Sequence, residues 1–249
     1  MAILIGLTGI SLLAWMYLVT TAGEMANGAM PGMPEMLALR AWTARDFFLM
    51  FTMWSVMMVG MMAPTAAPVT LIYAAVARKA ARENNTLPPT AIFVAGYIVM
   101  WGLFSAGATL LQWGLERAAL LSATMVSSSP VLGAGILIAV GIYQWTPFKN
   151  RCLRECRAPA QYLSEHWRSG TLGAFRMGLG HGAFCLGCCA FLMLLLFVGG
   201  VMNLLWIAAI ALLVLAEKVS PFGAQGGRVA GVVMILLGVL ALTRFGLGS

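Results

Sequence analysis

The chain has 249 residues, 61% of them hydrophobic and 9% charged, with a formal net charge of +7. An ordinary soluble domain carries far more charge, and apolar runs of about 18 residues or more read as membrane spans. The basic residues fall in short loops between such runs, where they set topology, so the charge speaks for a lipid bilayer as partner and not for nucleic acid.

The first apolar run, Ile3 to about Thr21, lacks the basic start of a signal peptide and reads as a retained span. Glu24 to Met36 is rich in proline and glycine and forms a loop, within an outer segment over 23–44. It carries Met25, Met30, Met33 and Met36. Such a loop resembles the methionine-rich segments of copper importers and periplasmic copper proteins. Thioether sulfur is a soft ligand that suits Cu(I), although methionine is also a common gap-filler.

The second span starts near Arg45. Met50, Met53, Met57 and Met61 share one helical stripe, with Met58 and Met62 beside it. Pro64 and Pro68 predict a kink or break before the helix resumes to Arg78. Most of these methionines read as a packing stripe, but Met57, Met58, Met61 and Met62, around Gly60 and Pro64, are candidate metal ligands. A basic loop at Arg78–Glu83 leads to span three, about Thr90–Leu115, and a serine-rich segment leads to span four, about Val131–Trp145.

The segment 148–170 is basic and contains Cys152 and Cys156, which share a face if it is helical. They are candidates for taking or handing over metal. Ala160–Trp167 reads as a short interfacial amphipathic helix, and His166 as an ordinary surface residue. Span five, about Thr171–Val198, holds Gly180-His181-Gly182-Ala183-Phe184-Cys185-Leu186-Gly187-Cys188-Cys189. On a helix His181, Cys185 and Cys188 or Cys189 project together. One imidazole and two or three thiols suit Cu(I) or Zn(II). The glycines of this stretch let another helix approach closely. An ionisable group within the membrane is costly and by default functional.

Span six, about Met202–Ala216, ends in Glu217-Lys218, and span seven covers about Val229–Leu242. Adjacent residues do not face each other on a helix. Glu217 is therefore expected to pair with Arg176 or to reach the cluster, and the simpler role for the two is an interfacial anchor supporting it. With the N-terminus inside and seven spans, ten lysines and arginines lie inside and four outside, as the positive-inside rule requires. The expected fold is a single all-α polytopic transmembrane bundle over 1–249, in a bacterial inner membrane, with spans two and five antiparallel.

Trp54-x-x-Met57-Met58-x-x-Met61-Met62-x-Pro64, Gln144-x-Thr146-Pro147-x-Lys149-x-x-Cys152-x-x-x-Cys156, Gly187-Cys188-Cys189, Met202-Asn203-Leu204-x-Trp206 and Glu217-Lys218-x-x-Pro221 occur in that order. This set, spanning about Phe47–Gly223, resembles the bacterial family of predicted metal-binding integral membrane proteins. The resemblance implies metal binding, with copper the expected cofactor, and supplies no reaction.

The expected function is copper binding and handling at the His/Cys cluster, with Cys152/Cys156 as an inner exit. A copper-dependent membrane oxidase or oxygenase subunit is the enzymatic alternative. A non-catalytic subunit of a larger complex, with membrane or periplasmic partners, is the structural one. The five cysteines suggest no disulfide framework. No nucleotide-binding or serine-triad motif stands out.

Overall fold

The computed structural model describes residues 2–26, 42–83, 87–122 and 125–246. Met30, Met33, Met36 and the side chain of Met25 lie outside the described residues. The regular elements among the described residues are helices: α1 (Ala2–Ala26), α2 (Ala44–Arg82), α3 (Thr90–Arg117), α4 (Pro130–Tyr143), α5 (Pro147–Arg157), α6 (Pro159–Glu165), α7 (Gly170–Met193), α8 (Leu196–Gly199), α9 (Leu204–Val219) and α10 (Gly223–Gly246).

Helix starts follow local chemistry. Thr43 and Asp46 form a reciprocal capping box at α2. Ser129 before Pro130 and Thr146 before Pro147 cap α4 and α5 with the proline in the first turn, where its missing N–H costs nothing. Asn203 caps α9.

Among the described residues, five helical stretches are long and apolar enough to cross a membrane: α1, α2, α3, α7 with α8, and α10. The predicted spans four and six are shorter. The 14-residue α4 turns by 65° into α5 at the Thr146-Pro147 break, so the pair could count as a sixth span. The 16-residue α9 reaches about 24 Å at about 1.5 Å per residue, short of a hydrocarbon core of about 30 Å. Short and bent helices are tolerated at membrane depth where protein surrounds them. The predicted interfacial helix corresponds to α6, preceded by the more polar α5.

Pro64 and Pro68 do not break α2, which is one helix from Ala44 to Arg82. Each ring removes one intrahelical hydrogen bond. The flanking Met61, Met62, Ala66 and Val69 are buried, so neighbouring helices hold the segment in place. The methionine stripe is inside: Met50, Met53, Met57, Met58, Met61 and Met62 are all core residues.

Glycine places α7 at the centre. A Cβ on Gly178 would collide with the Phe93 carbonyl, and one on Gly96 with the Phe175 carbonyl, so α3 and α7 touch backbone to backbone. On other faces of α7, a Cβ on Gly187 would lie 2.6 Å from Cys152 Sγ and one on Gly180 2.9 Å from Tyr162 OH. Small residues allow this approach where packing, rather than the hydrophobic effect, drives helix association. The close approach anticipated from the glycines of span five is thus realised against two partners, α3 and the α5–α6 segment.

Candidate metal centre

The buried face of α7 carries Cys185, Cys188 and Cys189, each about 1% exposed or less. One turn earlier on the same helix is His181, 3% exposed. Two other helices bring sulfur to this face. Cys156 Sγ of α5 lies 3.9 Å from Cys188 Sγ, and Met62 Sδ of α2 lies 4.0 Å from Cys189 Sγ. Two sulfurs bonded to one metal at about 2.3 Å, roughly 120° apart, are about 4.0 Å from each other. Both edges therefore have the length that a shared soft metal requires.

The cluster thiols are turned onto backbone. Cys188 and Cys189 both donate to the Cys185 carbonyl, at 3.0 and 2.9 Å. No three of the cluster's histidine and cysteine ligand atoms lie within 4.8 Å of one another. Convergence of three sulfurs on one ion therefore requires rotation of a thiol away from that carbonyl, and loss of the thiol proton releases the bond that holds it there.

Polar groups surround Cys185. Lys218 Nζ of α9 is 2.9 Å from Cys185 Sγ and donates to Thr65 Oγ1 at 3.2 Å. Tyr97 OH of α3 is 3.1 Å from the same sulfur. The ammonium supplies a positive charge next to sulfur in a water-poor interior, where charge compensation matters most.

A second buried pair fixes this arrangement. Lys149 Nζ of α5 forms an ion pair with Glu217 Oε2 of α9 at 2.7 Å and also donates to the Gln144 side-chain oxygen. Both charged side chains are 2% exposed. Arg157 donates to the carbonyls of Ser220 and Pro221 at 2.8 and 3.0 Å, satisfying acceptors just beyond the end of α9. The helix that carries Cys156 is thus fastened to the helix that carries Lys218.

The expectations for Glu217 and Lys218 change accordingly. Glu217 pairs with Lys149, not with Arg176, and it is Lys218 that reaches the cluster. Neither is an interfacial anchor, because both are buried. Cys152 and Cys156 also separate. Cys156 joins the cluster, whereas Cys152 is buried against Gly187 of α7. Of the four candidate methionines, Met62 contacts a cluster thiol among the described residues, and Met57, Met58 and Met61 pack in the surrounding core.

His181 sits among aromatic rings, with its ring centroid 4.9 Å from that of Tyr162 and 6.0 Å from that of Tyr97. Its Nδ1 is buried and has no hydrogen-bond partner among the described residues. Tyr162 of α6, which donates to the Met177 carbonyl at 2.7 Å, has its phenol pushed above the usual range by burial.

Tyr97, Thr65 and Lys149 were missed as contributors to this region. Tyr97 and Thr65 carry no spacing signal within their apolar runs. Lys149 belongs to one of the motifs that carry the family resemblance, but its partner lies 68 residues away in sequence.

Comparison with known families points to copper. The family model described as PpoB2, copper chaperone, matches residues 51–241. The chain belongs to this copper chaperone family. No curated protein and no solved structure matches it. The matched range covers every cluster residue, from Met62 through Lys218. Copper fits the donor set, since thiolates and a thioether are soft ligands that favour Cu(I). The family match speaks for copper and gives zinc no support.

Proposed function

We propose that this copper chaperone family member binds Cu(I) inside a bacterial cytoplasmic membrane and hands it on. The binding groups are Cys185, Cys188, Cys189 and Cys156, with Met62 as the thioether and His181 one turn away. The observation that carries this reading is that sulfur from α5 and sulfur from α2 each approach a buried thiol of α7 to about 4 Å. Tyr97 and Lys218 orient Cys185, and Lys218 offsets the negative charge that thiolates bring.

In this reading the N-terminus is inside, all seven helical segments identified from the sequence lie at membrane depth, and α5 and α6 sit on the inner side. Cys156 is half-buried, unlike the α7 thiols, and is therefore the point at which copper is exchanged. A thiol can pass Cu(I) to another soft ligand through a shared intermediate, so the recipient is a partner protein that presents sulfur. The Met-rich segment at 23–44 is the outer contact for copper. Oxidase chemistry is less well supported, because thiolates are readily oxidised and the cluster has a single histidine.

Copper content of the detergent-purified chain tests the reading. After anaerobic Cu(I) loading, the wild-type protein should retain equimolar copper through desalting, and Cys185→Ser/Cys188→Ser/Cys189→Ser should retain none while eluting as the same species. Equal copper in both proteins would place the metal elsewhere.

A further inference from the structure

At the α5–α6 end of the molecule, starting one residue before Cys156, Glu155, Glu165 and His166 come together. One ligand atom from each lies within 4.8 Å of the other two. Glu155 is near the end of α5, and Glu165 and His166 are at the end of α6. The ten residues of sequence between Glu155 and His166 are folded back by the Ala158-Pro159 junction, which brings the two helix ends side by side.

The arrangement offers a cation two carboxylates and an imidazole. Carboxylates close together disfavour each other's charged form, and a cation between them relieves that. Arginines are available at positions 151, 154 and 157 of the same helix, yet neither carboxylate forms an ion pair with them among the described residues. Arg157 is turned away to the carbonyls beyond α9. Glu155 has no hydrogen-bond partner among the described residues. Glu165 accepts one bond from Gln161, at 2.7 Å, which leaves lone pairs on both of its oxygens.

The histidine is prepared in the manner of metal ligands. His166 Nδ1 lies 3.1 Å from the Tyr162 carbonyl. A carbonyl only accepts, so Nδ1 carries the hydrogen and the ring's lone pair is on Nε2. Ligating histidines commonly show such a bond from the other ring nitrogen. The imidazole is further held by stacking on Tyr162, with centroids 4.7 Å apart.

We propose that Glu155, Glu165 and His166 form a binding site for a divalent first-row transition metal ion, separate from the sulfur cluster. Two carboxylates and one imidazole are harder donors than thiolates and suit a divalent ion of the zinc and cobalt class, with water completing the coordination. The half-exposed position leaves room for that water. This site does not depend on copper binding by the thiols. It also gives His166 a role that the sequence alone did not suggest.

Anaerobic titration of the full purified chain with Co(II), followed by absorbance, tests the site. Oxygen and nitrogen ligands give weak visible bands, whereas cysteine ligands add intense sulfur-to-cobalt charge transfer at shorter wavelength. Saturable weak bands are expected, and they should persist, without charge transfer, in Cys185→Ser/Cys188→Ser/Cys189→Ser. His166→Ala, and separately the milder Glu165→Gln, should each raise the Co(II) dissociation constant by about tenfold or more. Both residues are at the surface end of α6, so the copper stoichiometry of these variants should match wild type, which serves as the folding control. No saturable binding, unchanged binding in both variants, or bands lost only with the cysteines would each overturn the proposal.

Discussion

Cys156→Ser is expected to weaken Cu(I) binding by about two decades, or about 2.8 kcal/mol at about 1.4 kcal/mol per decade, while Cys152→Ser leaves it within a few-fold of wild type. The two cysteines lie four residues apart on α5, in similarly basic surroundings, and the sequence treats them alike. The structure does not. Cys156 Sγ is 3.9 Å from Cys188 Sγ, a distance two ligands of one metal can adopt. Cys152 Sγ is pressed against Gly187, where a Cβ would come within 2.6 Å of it. Its burial there is that of a small apolar side chain. Cys152→Ser should therefore show up in thermal stability, through a polar group placed in an apolar contact. Competition with a chromophoric Cu(I) chelator measures the affinities. Equal losses in both variants would mean that α5 contributes to the site only as a unit, without a specific ligand.

Lys149→Met should destabilise the protein by about 3–5 kcal/mol, the usual consequence of leaving one member of a buried ion pair without its partner. Glu217 would then be an unpaired buried carboxylate among α5, α9 and α10; a Cβ on Gly227 would already lie 2.5 Å from its Oε1. The double variant Lys149→Met/Glu217→Gln should recover a large part of the loss, because it removes both charges. Chemical denaturation in a mild detergent gives the cycle. Additive losses would show that the two charges are not coupled. The prediction also separates stability from copper binding. The 2.7 Å pair lies beside the cluster and fastens α5 to α9, so the double variant should keep equimolar copper once folded.

Much of the architecture was legible in the residues. The long apolar runs were readable as helices, because a bilayer admits only segments whose backbone is hydrogen-bonded internally, and the structure has helices there. The glycine spacing of span five anticipated the close contacts of α7 with α3 and α5. Helix periodicity grouped Cys185, Cys188 and Cys189 on a buried face.

What the sequence could not convey is tertiary. Of the kink or break expected at the proline pair in α2, the break does not occur: a helix surrounded by packed neighbours tolerates two lost hydrogen bonds, and α2 is continuous. The length rule alone could not show that α4 bends by 65° into α5 and carries Cys156 to the thiols. Local spacing could not reveal that Glu217 and Lys218, adjacent in sequence, point to different partners: one to Lys149, the other to Cys185. Tyr97 is one aromatic residue among many in an apolar span, and only the approach of α3 to α7 makes its hydroxyl a neighbour of Cys185.

The central claim is that copper is held by sulfur from α7, α5 and α2 within the helical bundle. X-ray absorption at the copper edge of the anaerobically Cu(I)-loaded full chain tests it most directly. The account predicts a Cu(I) edge and a first shell dominated by sulfur, with sulfur scattering reduced in Cys156→Ser and lost in Cys185→Ser/Cys188→Ser/Cys189→Ser. A first shell made mainly of nitrogen or oxygen, unaffected by these substitutions, would contradict it.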